Sequence, residues 1–78
     1  MKGKNEALKI AFGRRVKQLI DQKGLVPQDV AANANIEVKQ VYRVINAEHN
    51  ATLALIGSIA KGLGVHPRDL FDFEMTQE

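Results

Sequence analysis

Residues Pro27 to Asn46, PQDVAANANIEVKQVYRVIN, decide how this 78-residue chain folds. Apolar residues stand at Val30, Ala31 and Ala34, then at Ile36, then at Val41, Val44 and Ile45, with Asn35 between the groups. Steps of three and four mark one face of a helix, and the single interruption marks a turn. Two helices crossing at about 90–120° need a small side chain where they approach and a residue that tolerates positive φ at the bend. Ala31 and Asn35 meet those needs. The stretch reads as two short helices, Pro27 to about Ala34 and about Glu37 to Asn46 or Ala47.

Upstream, Leu8, Phe12, Val16, Leu19 and Ile20 recur at three- and four-residue steps, the stripe of an amphipathic helix from Glu6 to Lys23 that stops at Gly24. Downstream, Thr52 is a competent cap for a fourth helix with the stripe Leu53, Ile56, Ile59, Ala60 and Leu63, stopped by Gly64. Gly57 and Gly62 lie inside it, each costing about 1 kcal/mol relative to alanine, so close packing at one or both is expected. His66 and Pro67 open a short fifth helix contributing Leu70 and Phe71. The fold class is all-α with five helices, and no strand pattern or repeat is visible. The expected organisation is a basic arm over 1–5, a helical domain over 6–72 and an acidic tail over 73–78.

A chain this short is one domain near the lower size limit for a core without staples. It has no cysteine, which excludes disulfides and thiolate metal sites. His49 and His66 lack partners at ligand spacing, so neither a metal nor any other cofactor is expected. Asn50-Ala51-Thr52 fits the glycosylation sequon, but MKGKNEALK lacks the apolar segment of a secretory signal, and the match is ascribed to chance. No apolar run approaches the ~18 residues of a membrane span, and a cytoplasmic, nucleoid-associated protein is expected. Net charge is only +2, yet unevenly spread. Residues 1–17 carry Lys2, Lys4, Lys9, Arg14, Arg15 and Lys17 against Glu6, whereas 68–78 carry Arg68 against Asp69, Asp72, Glu74 and Glu78. That asymmetry suggests a basic end able to follow phosphates and an acidic tail kept away from them. There is no phosphate-cradling glycine loop, nucleophile-base pair or cavity acid cluster, so no enzyme is expected.

The pair of helices at 27–46 is a helix-turn-helix, and the pattern around it is specific. The chain resembles the phage-repressor and Cro family of helix-turn-helix regulators, the xenobiotic-response-element type, over residues 13–71. The resemblance is carried by Gly13, Arg15, Val16 and Leu19, by Gly24-Leu25, Val30-Ala31 and Ile36, and by Val41, Arg43 and Val44. It continues through Leu53, Leu55, Ile59-Ala60, Leu63-Gly64-Val65 and Leu70-Phe71. What it implies is a lambda-repressor-like domain whose third helix enters the major groove of double-stranded DNA.

By position, the resemblance makes Val38, Lys39, Tyr42 and Arg43 the base readers. Lys39 and Arg43 can donate to guanine O6 and N7, and Val38 can cover a thymine methyl group. Gln40, Asn46, His49 and Asn50 fall where polar groups approach the sugar-phosphate backbone and fix register. The chain departs from the family at three places. Val26-Pro27 replaces the usual Ser or Thr followed by Gln, removing a cap and a side chain that braces helix three and touches phosphate. Gln28 is the nearest substitute, displaced by ~100° around the helix. Asn35 replaces the turn glycine. Ile20 and Ile45 replace an Arg and a Glu that many members bury as a pair, and the two isoleucines are expected to touch. Because a lone module reads few base pairs, a homodimer on two half-sites is expected. Helix five and the tail would supply its interface, with Phe73 as anchor ahead of Phe71, which is expected to be core. The same fold serves DNA-binding antitoxins and restriction-modification operon controllers. The alternative is an interaction module that does not bind DNA.

Overall fold

The computed structural model describes residues 2–48 and 50–74, with side chains described from Glu6 onward. Four α-helices, α1 (Lys2–Gln22), α2 (Pro27–Ala34), α3 (Val38–Ile45) and α4 (Leu53–Leu63), are followed by a 3₁₀ helix, Pro67–Phe71, and no strand occurs among the described residues. The expected fifth α-helix is thus a 3₁₀ turn. Pro67 has no N–H to give, Asp69 turns back to accept from the His66 N–H at 3.3 Å, and Asp72 ends the element after five residues.

The helix boundaries follow from local chemistry. Thr52 caps α4 as read from the sequence, its hydroxyl accepting from the Leu55 N–H at 3.0 Å. Val26 has no acceptor to offer α2, but Asp29 accepts from the Val26 N–H at 3.0 Å, so one free donor at that end is satisfied without a capping side chain. All four α-helices end in the same way. A residue at positive φ donates to the carbonyl three residues back and the next residue donates to the carbonyl five back, the Schellman arrangement. Gly24, Asn35, Ala47 and Gly64 hold the positive-φ places, with φ of 68°, 58°, 56° and 73°.

The core is built from Phe12, Val16, Leu19 and Ile20 of α1, Val30 and Ala31 of α2, Val41 and Val44 of α3, Leu55, Ile59, Ala60 and Leu63 of α4, and Leu70. Two approaches are close enough to demand glycine. A Cβ on Gly13 would stand 2.5 Å from the Val44 carbonyl oxygen where α1 crosses α3, and one on Gly62 would stand 2.5 Å from the Val30 oxygen where α4 crosses α2. Asn33 reinforces the second seam by donating to the Gly62 carbonyl at 3.2 Å. Gly57 meets nothing, so only one of the two α4 glycines is there for packing within the protomer.

Several expectations are corrected. Residues 2–5 have helical backbone and belong to α1 instead of forming an arm, because once a helix is nucleated each further residue adds a bond, and water can serve the N–H donors of an exposed first turn. Leu8 continues the apolar stripe beyond the end of the core and is 46% exposed, while Leu53, directly after the cap, overhangs it and is 87% exposed. As expected of apolar residues at those places, Ile20 is fully buried and Ile45 is half-buried against the same core. The two tail aromatics exchange roles. Phe71 lies over Phe12 with ring centroids 5.0 Å apart yet is 47% exposed, and Phe73 is half-buried against the core.

The basic end is also less free than its composition suggests. Lys9 pairs with Glu6 at 3.3 Å and Lys17 with Asp21 at 2.9 Å. Arg15 donates from Nε to the Asp69 carbonyl and from Nη1 to Gln18 Oε1, both at 2.7 Å, and reaches Asp72 at 3.8 Å. The start of the acidic segment is therefore fastened to α1, because a planar guanidinium can serve three acceptors at once.

Candidate nucleic-acid interface

α3 is amphipathic. Val41 and Val44 are buried, Ile45 and Gln40 are half-buried, and Lys39, Tyr42, Arg43 and Asn46 are exposed. At ~100° per residue the four exposed side chains occupy about 100° of the helix surface, opposite the core. Val38 stands at one edge of this arc, half-buried against the core, so it offers part of its surface outward instead of all of it. Gln40 lies outside the arc.

The turn sets how this face is presented. Asn35 adopts the left-handed conformation expected of it, and Ile36, directly after it, packs half-buried against the core. Glu37 precedes the first turn of α3 in extended conformation and makes no side-chain capping bond. The Gln28 amide donates to the Tyr42 hydroxyl at 3.4 Å, a long bond that joins the exposed sides of α2 and α3. Gln28 therefore supplies the bracing contact that the Val26-Pro27 departure removes, through Tyr42. Nothing in the sequence pairs these residues, which are 14 apart. Asn50 is exposed and lines a groove between α1 and α4, apart from the α3 arc, while His49 lies outside the described residues. The structure thus brings Gln28, Lys39, Tyr42, Arg43 and Asn46 to one surface.

Among the described residues no cluster of three or more His, Asp or Glu could hold a metal ion, and no helix is long and apolar enough to cross a membrane.

Comparison with known proteins bears on this geometry. The family model for the Cro/C1-type HTH DNA-binding domain matches residues 15–75. The solved structure of the restriction-modification controller protein C.AhdI from Aeromonas hydrophila is similar, with 31% identity and a TM-score of 0.79, covering 83% of this chain and 98% of that one. The wild-type restriction-modification controller protein C.Esp1396I is similar in fold at 23% identity, with a TM-score of 0.76 over 83% of this chain and 86% of that one. A comparison with the curated proteins finds no match. An all-helical domain with α2 and α3 set at a tight turn, matched over most of its length by that family, belongs to the Cro/C1-type helix-turn-helix DNA-binding regulators.

Proposed function

We propose that this regulator recognises a specific operator by laying α3 in the major groove, and that it does so as a homodimer on two half-sites. The observation that carries the reading is the exposed arc of Lys39, Tyr42, Arg43 and Asn46. Two cations and a phenol with no apolar partner above them are costly to explain as core and straightforward as donors to base edges and phosphates. Within the arc, Lys39 and Arg43 are the principal base readers. Val38 and Tyr42 cover apolar base surface, with Gln28 holding the phenol, and Asn46, Gln40, Asn50 and His49 are the candidates for backbone contact. A DNA partner puts the working protein in the cytoplasm, at the nucleoid.

The 31% likeness to C.AhdI supports a narrower role, control of a restriction-modification operon. Its signature would be an adjacent gene for a DNA methyltransferase or endonuclease.

Selection of bound sequences from random duplexes tests the main reading. A palindromic consensus is expected, with affinity falling against salt by about 0.9 per phosphate contact on a log-log plot. No enrichment, together with no salt-sensitive binding to mixed duplex, refutes it and favours an interaction module of the same fold.

A further inference from the structure

The outward face of α3 is made of two rows of unlike chemistry. Lys39 and Arg43, one turn apart, form a cationic row, and both are exposed. Val38 and Tyr42, also one turn apart, form an apolar row displaced by ~100° around the helix, on the flank that Gln28 of α2 reaches. The core accounts for only part of Val38, and Tyr42 lies outside it, 41% exposed. Valine can neither donate nor accept a hydrogen bond, and the Tyr42 hydroxyl already has the Gln28 amide as a partner at 3.4 Å, so what this row offers is carbon surface. The major groove has one apolar group at its base edges, the 5-methyl group of thymine, and 5-methylcytosine carries the same group at the same place. One turn of helix advances about 6 Å, close to the rise of two base pairs.

We propose that the apolar row reads the 5-methyl groups of pyrimidines, Val38 taking one and Tyr42 another about two base pairs away, so that thymine and 5-methylcytosine are equivalent to it. This assignment rests on α3 lying in the major groove and deepens that reading. Its consequence is regulatory, since an operator with cytosine at either place is bound according to whether that cytosine is methylated at C5. A bare cytosine or uracil leaves a gap where the methyl group would stand, and the valine or the phenol ring facing it loses its contact. Burying a group of that size changes affinity about fourfold, and the pair in one half-site roughly fifteenfold. Guanine recognition falls to the other row, where Lys39 and Arg43 supply the donors, so the two kinds of readout can be perturbed separately.

Fluorescence anisotropy of the full chain on the operator obtained by selection tests this, at fixed salt and with the base modified instead of the protein. Each thymine of a half-site is replaced in turn by deoxyuridine, which lacks only the methyl group. At the two places under the apolar row the Kd should rise about fourfold, while the remaining thymines serve as the internal control. Cytosine put at either place should weaken binding, and 5-methylcytosine there should bind about fourfold more tightly than cytosine. Val38→Ala should abolish the methyl effect at one place and Tyr42→Ser at the other, whereas Tyr42→Phe, which keeps the ring, should retain it. Circular dichroism melts report the fold of each variant. An operator whose affinity is unchanged by every loss of a thymine methyl group overturns the assignment and leaves operator recognition standing, as do methyl effects that persist in both Val38→Ala and Tyr42→Ser. A uracil penalty without any gain from methylating cytosine overturns the equivalence and the response to methylation. If no operator is selected, the reading beneath this one falls as well.

Discussion

Three glycines inside helices should respond to the same substitution with opposite signs. Alanine in place of glycine in a helix interior returns about 1 kcal/mol. At Gly57 nothing opposes that gain, and Gly57→Ala should raise stability by nearly that much. At Gly62 the new methyl group would stand 2.5 Å from the Val30 oxygen and 3.0 Å from the Ala34 methyl group. Restoring an ordinary 3.4 Å contact requires α2 and α4 to part by about 0.9 Å. A gap of that size forfeits roughly a quarter to a half of the dispersion attraction across the seam, and such overpacking costs about 1–3 kcal/mol. The net effect of Gly62→Ala is therefore a loss of up to about 2 kcal/mol, a fall in Tm of up to roughly 15 °C for a domain of this size. Gly13→Ala should lose at least as much, because its methyl group meets two backbone oxygens, those of Val44 and Ile45. Urea and thermal unfolding followed by circular dichroism, at concentrations where the chain is monomeric, would measure all three. If Gly62→Ala and Gly13→Ala stabilise as Gly57→Ala does, the helix seams are wider than described and the packing argument is wrong.

Other outcomes are expected. Arg43→Ala should relax preference at one base pair by about 1–3 kcal/mol in competition binding against a set of operator variants, whereas equal loss on every sequence would put Arg43 on a phosphate. Ile20→Arg places a charge in a fully buried site with no acid opposite, and should cost about 3–5 kcal/mol in chemical denaturation. A denaturation midpoint like the parent's would mean that the site is not closed. Thr52→Ala should cost about 0.5–2 kcal/mol by removing the acceptor for the Leu55 N–H. Asp29→Ala should cost a similar amount through the Val26 N–H, and no change in either melt would show that water replaces the side chain.

The helices were legible because their ends carry chemical marks. Gly24, Asn35 and Gly64 announce the left-handed residue that closes a Schellman turn, and Leu25, Ile36 and Val65 after them pack against the core. The end of α3 was not marked, since Ala47 and the exposed Glu48 carry neither signal. The α3 arc was readable because Lys39, Tyr42 and Arg43 fall off the apolar stripe. Contacts distant in sequence were not readable. Arg15 counts as basic surface until the fold brings Asp69, 54 residues away, to its guanidinium. Phe71 and Phe73 were misranked because a 3₁₀ turn advances 120° per residue, carrying Phe71 away from the face that buries Leu70. Leu8 and Leu53 fit helical periodicity perfectly well, but periodicity does not say where the core stops.

Ala47 has a dynamic consequence. An L-residue in the left-handed region stores about 1–2 kcal/mol that glycine does not. Breaking the hydrogen bonds from Ala47 to Val44 and from Glu48 to Arg43 releases that tension, whereas the same rupture beyond Gly24 or Gly64 releases none. Fraying should accordingly begin at the carboxyl end of α3. The Ala47 and Glu48 amides should exchange with solvent deuterium faster than those of Gly24, Leu25, Gly64 and Val65. If Asn46, at the brink of that fraying turn, meets phosphate as proposed, it would settle only on binding, and that end of α3 would sharpen on contact with DNA.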